Sequence, residues 1–155
     1  MEQLNLTQEW DKVFPKSDKV EHGKVTFHNR YGITLAADVY VPKNTEGKLP
    51  AIAVSGPFGA VKEQSSGLYA QKMAEMGFFT IAFDPSYTGE IRSAVLLVHG
   101  EKAHSRYFSE TAYSKLSGDN KELLIIPGAS HTDLYDQMDV IPFEKLKAFF
   151  EEHLK

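Results

Sequence analysis

One stretch of the chain combines the pattern of a buried strand with a side chain that can transfer protons. Four aliphatic residues, Leu123–Ile126, are followed by the turn residues Pro127 and Gly128 and then by His131. A short apolar run between turn residues is typical of a strand buried on both faces, and α/β enzymes keep catalytic groups beyond the ends of such strands. His131 is therefore a candidate general base, and the alternative is a solvated or capping histidine.

Composition and charge limit the classes of protein to consider. The 155 residues are 42% hydrophobic and 25% charged, which is ordinary for a globular domain with its own core. A net charge of −4 indicates no surface for nucleic acid or an anionic membrane. We see no long apolar span and no signal peptide, so we expect a cytoplasmic protein. The absence of cysteine excludes disulfides, thiolate zinc sites and a cysteine nucleophile.

Hydrophobic patterning predicts the elements that must position His131. Residues 1–19 form an N-terminal arm that packs Trp10 and Phe14 on a single domain of residues 20–155. Alternating apolar residues predict a hairpin, and β-α alternation follows it. The predicted strands are 20–29, 33–41, 51–54, 78–83, 94–98 and 123–126, and the predicted helices are 65–76, 105–116 and one that starts at Pro142. This order predicts an α/β fold with a mostly parallel sheet, flanking helices and an antiparallel N-terminal hairpin.

The turn after the 51–54 strand has the composition of a backbone binding site. Ser55, Gly56, Pro57, Phe58 and Gly59 cannot form a regular element, and glycines at this spacing let backbone N–H groups face one point. The alternative is a plain strand-to-helix turn.

A metal centre is a further alternative for the histidines. His99, Glu101, His104 and His131 come from two loops that a parallel sheet would bring together, and three such ligands with a water resemble a hydrolytic zinc site. The spacing matches no known zinc pattern. We therefore assign no metal and no cofactor.

Four stretches that follow predicted strands resemble one known superfamily when they are taken together and in order. They are residues 54–65, 83–90, 97–105 and 126–131. This combination resembles the α/β-hydrolase superfamily, and most closely its dienelactone-hydrolase and polyketide-transferase-like branch. The resemblance implies a truncated α/β-hydrolase-like domain that acts on a small ester.

The resemblance also implies roles for individual residues. His131 matches the catalytic histidine of the family, and the turn at His99 matches the one that carries the acid of the triad. The acid often stands where this chain has Ala103, so Glu101 is the better candidate, with Asp133 as the second. The loop from Ser55 to Gly59 matches the one whose backbone N–H, here that of Phe58, contributes to the oxyanion hole.

The chain departs from the family at the nucleophile. Family members continue after the stretch that matches 83–90 with a further strand and an elbow of the G-x-S-x-G or G-x-C-x-G type, and this chain contains no such motif. Ser55, Ser86 and Ser105 are the hydroxyls on loops next to the matched strands, and each is also explained by turn chemistry. We assign Ser55 to the catalytic set with His131 and Glu101.

Two functions remain open at this point. One is a weak carboxylesterase in which His131 acts as general base on a water or a replacement hydroxyl. The other is a catalytically inactive remnant that serves as a binding or assembly module. The link from Asp84 to Ser93 is too short for a crossover helix, so a single chain would expose apolar sheet. We therefore expect a homodimer, and a domain-swapped form is one solution.

Overall fold

The computed structural model describes residues 6–56, 61–84 and 93–154. The chain forms two compact units, Met1–Tyr87 and Thr88–Lys155. The elements are β1 Val20–His28, β2 Thr34–Pro42, β3 Ala51–Val54, α1 Ser65–Glu75, β4 Phe79–Phe83, β5 Val95–Gly100, α2 Arg106–Lys115, β6 Lys121–Ile126, α3 Asp133–Asp136 and α4 Phe143–His153. Among the described residues, no helix combines the length and the apolar character that a membrane crossing requires.

The first unit is built on a four-stranded sheet in the order β1-β2-β4-β3. β1 and β2 pair antiparallel over their full length, which confirms the predicted hairpin. The side-chain oxygen of Asn29 accepts hydrogen bonds from the N–H groups of Tyr31 and Ile33 at 2.9 and 3.0 Å. Gly32 completes the turn with a φ of 76°, which a residue with a Cβ rarely adopts.

The predicted fold class, a truncated α/β-hydrolase-like fold with a mostly parallel sheet, is wrong. The larger sheet is mostly antiparallel, because β2 has an antiparallel partner on each side and only β3 and β4 run parallel. The second unit contains a small sheet of two parallel strands, β5 and β6. β-α alternation predicts parallel pairing only between strands that a crossover returns to the same sheet. Here the hairpin strand β2, and not a further β-α unit, occupies the second edge of β4.

Helix α1 packs on the sheet face that carries Asp38, Tyr40 and Thr80, all fully buried. In the sequence, the apolar residues of 33–41 alternate, with the odd-numbered positions on one side of the strand, and alternation of this kind favours burial of that side. The pattern holds at Leu35 and Ala37, and it fails beyond Ala37, where burial passes to the even-numbered residues. The face of a strand that is covered depends on where the neighbouring helix lies, which the alternation of residues does not specify.

A buried ion cluster attaches the N-terminal segment to this sheet. Asp38 Oδ1 lies 2.9 Å from Lys12 Nζ and 2.8 Å from His22 Nε2. Burial disfavours the ionised carboxyl, but the hydrogen bonds from His22 and Lys12 hold the pKa of Asp38 below its ordinary value. The Trp10 ring packs edge-on against His22, with 5.1 Å between ring centroids. The arm is therefore held by paired charges as well as by apolar contact.

Two buried hydroxyls of the core predict opposite effects on stability. Thr80 Oγ1 donates a hydrogen bond of 2.8 Å to the Ala70 carbonyl, whereas the buried Tyr40 hydroxyl has no partner among the described residues. We expect Thr80→Val to lower the free energy of unfolding by about 1 kcal/mol, because it removes a made hydrogen bond. Tyr40→Phe should leave that free energy unchanged or raise it. Urea denaturation measures both, and a loss of stability in Tyr40→Phe would contradict the assignment.

Candidate functional site

The second unit brings two loops together at one edge of its parallel sheet. β5 and β6 run in register from Val95 opposite Lys121 to Gly100 opposite Ile126, so both strands end at the same level. The backbone N–H of Glu101 donates to the Ile126 carbonyl at 3.0 Å, and that of Lys102 donates to the Ala129 carbonyl at 2.9 Å. These bonds continue the pairing beyond the strands and join the loop before α2 to the loop before α3.

Gly100 permits this close approach. A Cβ at this position would lie 2.5 Å from the Ser130 carbonyl oxygen and 2.6 Å from the Ala129 carbonyl oxygen. Both distances are shorter than any real contact of a methyl group, and the atoms concerned are backbone, which cannot rotate away. A side chain at residue 100 would therefore separate the two loops.

Ser105 lies between two imidazoles where the loops meet. Its Oγ is 3.0 Å from His131 Nδ1 and 3.2 Å from His99 Nε2. The outer nitrogens of the two rings have hydroxyl partners as well. His99 Nδ1 lies 2.8 Å from Ser109 Oγ, and His131 Nε2 lies 3.1 Å from the Tyr135 hydroxyl. The result is a continuous chain of five polar side chains, all of them half-buried.

Aromatic rings and charges surround these five hydrogen-bonded side chains. The His104 ring lies 5.1 Å from that of His131, centroid to centroid. Burial lowers the pKa of His99 below its ordinary value, and the electrostatic effects of the nearby His131 and Arg106 side chains lower it further, against the opposing effect of Glu110. His99 therefore stays neutral, and able to accept a proton, at a lower pH than an ordinary histidine.

The two acids predicted from the sequence support the loop backbone. Glu101 Oε2 accepts a hydrogen bond of 2.8 Å from the Gly128 N–H, and Asp133 Oδ2 accepts one of 2.7 Å from the Ser130 N–H. The Ser130 bond holds the pKa of Asp133 below its usual range. Neither carboxylate has a hydrogen bond to His131 among the contacts of the described residues, and the position behind the ring is occupied by the phenol of Tyr135.

The other predicted site residues lie in the first unit. Ser55 follows β3 and is exposed. Phe58 and Gly59, predicted to form the oxyanion loop, and Ser86, one of the three candidate hydroxyls, lie outside the described residues. The roles given to Ser55, Phe58 and Gly59 stay predictions.

The described residues contain no group of three or more metal-binding side chains arranged to hold an ion. Of the residues considered for zinc, His99 and His131 turn ring nitrogens toward Ser105. Glu101 accepts a hydrogen bond from a backbone N–H of the loop after β6. A histidine that is hydrogen-bonded to a serine can exchange a proton with the serine hydroxyl.

Sequence reasoning did not identify the chain of side chains that meets at Ser105. One signal was present. Ser105 and Ser109, and likewise His131 and Tyr135, are four residues apart at the start of a helix, a spacing that places side chains on the same side of a turn. The fact that both pairs face the end of β5 depends on the parallel pairing of β5 with β6.

No family model matches the chain. It is 34% identical to the uncharacterized protein PA2218 of Pseudomonas aeruginosa over 320 residues, which cover 98% of this chain and 86% of that protein. A segment of 73 residues, 44% of this chain, is 47% identical to the uncharacterized protein YcjY of Escherichia coli and covers 24% of it. The crystal structure of the hypothetical protein PA2218 superposes with a TM-score of 0.85 at 34% identity, over 99% of this chain and 100% of that one.

The chain belongs to the same family as PA2218. The alignment extends over 320 residues although this chain has only 155, so more than half of the aligned positions face gaps here. The relative therefore carries internal sequence that this chain lacks.

The close approach at Gly100 makes a direct prediction. Gly100→Ala should lower the free energy of unfolding by about 1–3 kcal/mol, since overpacking against backbone forces the loops apart, and it should weaken the contact between Ser105 and His131. Gly23→Ala is the matched control, because a Cβ there meets nothing within 4 Å. Thermal denaturation compares the two variants, and equal stability of both would show that the loops do not approach as closely as described.

Proposed function

We propose that the chain is a weak carboxylesterase in which Ser105 is the nucleophile and His131 the general base. The observation that carries the proposal is the 3.0 Å separation between Ser105 Oγ and His131 Nδ1, which is hydrogen-bond distance. Both residues are half-buried, so the pair is surrounded by protein on one side and lies partly open to solvent.

The proposed reaction has two balanced steps. Ser105 Oγ attacks the ester carbonyl carbon while its proton passes to His131 Nδ1. That proton then moves to the departing alcohol as the single bond between the carbonyl carbon and the alkoxy oxygen breaks. A water molecule next attacks the acyl group on Ser105, gives a proton to His131, and releases the acid as the proton returns to the serine. No cofactor takes part in this scheme.

Helix α2 supports charge stabilisation at the nucleophile. It begins at Arg106, directly after Ser105, so the positive end of its dipole lies beside the serine, where negative charge develops on the substrate during the attack. His131 is oriented by a phenol at 3.1 Å and not by a carboxylate. A neutral phenol stabilises the imidazolium less than a carboxylate does, so we expect slow turnover and a preference for activated, short-chain esters.

The scheme makes a prediction for Ser105. Ser105→Ala should reduce hydrolysis of p-nitrophenyl acetate to the rate of a chain without a nucleophile, a loss of about 10²-fold or more. Ser114→Ala is the matched control, because Ser114 lies on the same helix, is exposed, and its hydroxyl donates to the Thr111 carbonyl. Initial rates followed by nitrophenolate absorbance decide the matter. Equal rates for wild type and Ser105→Ala would refute the proposed function.

A second candidate function is an assembly module, supported by the sheet face opposite α1. Val25 and Ile33 are 40% and 42% exposed, and next to them the half-buried rings of Phe27 and Phe83 lie 5.9 Å apart. An open group of large apolar side chains on one sheet face is typical of an interaction surface. Because these side chains are large, apolar and exposed, we propose that a second copy of the chain covers this face in a homodimer.

Light scattering coupled to size-exclusion chromatography tests the homodimer. At low micromolar concentration we expect a particle of twice the 17.4 kDa chain mass. Val25→Lys should shift it toward the monomer, because a charge on the buried contact opposes association. Val13→Lys is the control, since Val13 is 77% exposed and lies on the N-terminal arm. A wild-type particle of 17.4 kDa would exclude the dimer.

A further inference from the structure

We propose that His99 is a second general base for Ser105, so that the serine proton has two acceptors. The inference rests on the proposed esterase function and adds a catalytic residue to it. Its basis is the 3.2 Å contact between His99 Nε2 and the same serine oxygen that His131 approaches from the other side.

The nitrogen arrangement of His99 suits a base. Its Nε2 faces the serine, and its Nδ1 is held at 2.8 Å by Ser109 Oγ. Serine hydrolases use this arrangement, with the Nε2 of the base toward the nucleophile and Nδ1 toward the group that orients the ring. His131 presents the opposite nitrogen, Nδ1, to Ser105 and has its Nε2 on Tyr135.

The five hydrogen-bonded side chains have two possible arrangements of donors and acceptors, which run in opposite directions. In one, each group donates toward Tyr135, so Ser105 donates to His131 and accepts from His99. In the other, each group donates toward Ser109, so Ser105 donates to His99 and accepts from His131. Both directions satisfy every hydrogen bond with neutral imidazoles, because each ring then supplies one donor and one acceptor.

The phenol at one end makes the second direction accessible beside the first, in which His131 is the base. A phenol is a much stronger acid than an alkyl hydroxyl and is therefore the better donor. When Tyr135 donates to His131 Nε2, the His131 proton sits on Nδ1 and points at Ser105 Oγ. The serine proton then points at His99 Nε2, and His99 is the base that receives it on attack.

The groups around His99 keep it in the base form. Arg106 and Glu110 reach it from α2, and His131 reaches it from the loop after β6. Burial, followed by the electrostatic effects of His131 and Arg106, lowers the pKa of His99, and Glu110 opposes them. The protonated fraction of His99 therefore rises only at a pH below the ordinary histidine value of about 6.5.

The catalytic step is the same as that written for His131, with a different acceptor. Ser105 Oγ forms a bond to the carbonyl carbon while its proton moves to His99 Nε2. That proton leaves with the alcohol when the single bond between the carbonyl carbon and the alkoxy oxygen breaks. The His131 Nδ1–H meanwhile donates to Oγ and orients it. Water reverses the sequence in deacylation, so His99 ends the cycle neutral.

Three variants of the full chain test the inference with p-nitrophenyl acetate. His131→Asn retains an N–H donor near the Nδ1 position, and His99→Gln retains a polar group near the Nε2 position, but neither amide is a base. We expect each single variant to keep at least about one-tenth of the wild-type kcat/KM and the double variant to lose about 10²-fold or more. In His131→Asn the acid limb of kcat/KM should lie below about pH 6.5, because only neutral His99 accepts the proton.

The outcomes separate this inference from the proposed function. If Ser105→Ala abolishes hydrolysis while His131→Asn is as slow as the double variant, His99 is not a base and His131 acts alone. If both single variants are as slow as the double, the two histidines act as one unit, which also refutes two independent bases. Hydrolysis that survives Ser105→Ala refutes the proposed function itself. Circular dichroism spectra equal to wild type establish that each variant is folded.

Discussion

The close contact between two backbone segments at Gly100 is the constraint on which the candidate site depends. The carbonyls of Ala129 and Ser130 lie where a side chain at residue 100 would be, so the loops after β5 and β6 are in direct contact. Hydrogen bonds from the N–H groups of Glu101 and Lys102 fix their register. Ser105 and His131 are 26 residues apart in the chain, and this contact places them at hydrogen-bond distance.

The acidic residues of the site illustrate how a small unit uses its charges. Glu101 and Asp133 are close to the histidines in sequence, yet each accepts a backbone N–H of the loop that carries His131. Carboxylates used in this way fix the backbone of the loop. The histidines are then oriented by the hydroxyls of Ser109 and Tyr135. Because a hydroxyl stabilises an imidazolium less than a carboxylate would, the proposed reaction is slower.

The first unit is held by a different kind of interaction. The carboxylate of Asp38 is completely buried, and contacts with Lys12 and His22 compensate its loss of water. These contacts join the N-terminal segment to the sheet. Removing one partner of such a cluster leaves an unpaired buried charge, which is strongly unfavourable. Apolar packing on this side of the sheet is thus combined with a specific polar contact, whereas the opposite face, with Val25 and Ile33, has large apolar groups in contact with solvent.

Local sequence patterns determined the hairpin, the strand that ends before Pro127 and Gly128, and the position of His131 on the loop beyond it, since turn residues and apolar spacing act between near neighbours. They did not determine the direction in which β2 and β4 pair, the face of β2 that α1 covers, or the hydroxyl that His131 contacts. These depend on contacts between residues far apart in the chain, which only the tertiary structure decides. Ser105 shows the distinction most clearly: its sequence context is that of a turn residue, and its position between two imidazoles follows from the parallel pairing of β5 with β6 and the space left by Gly100.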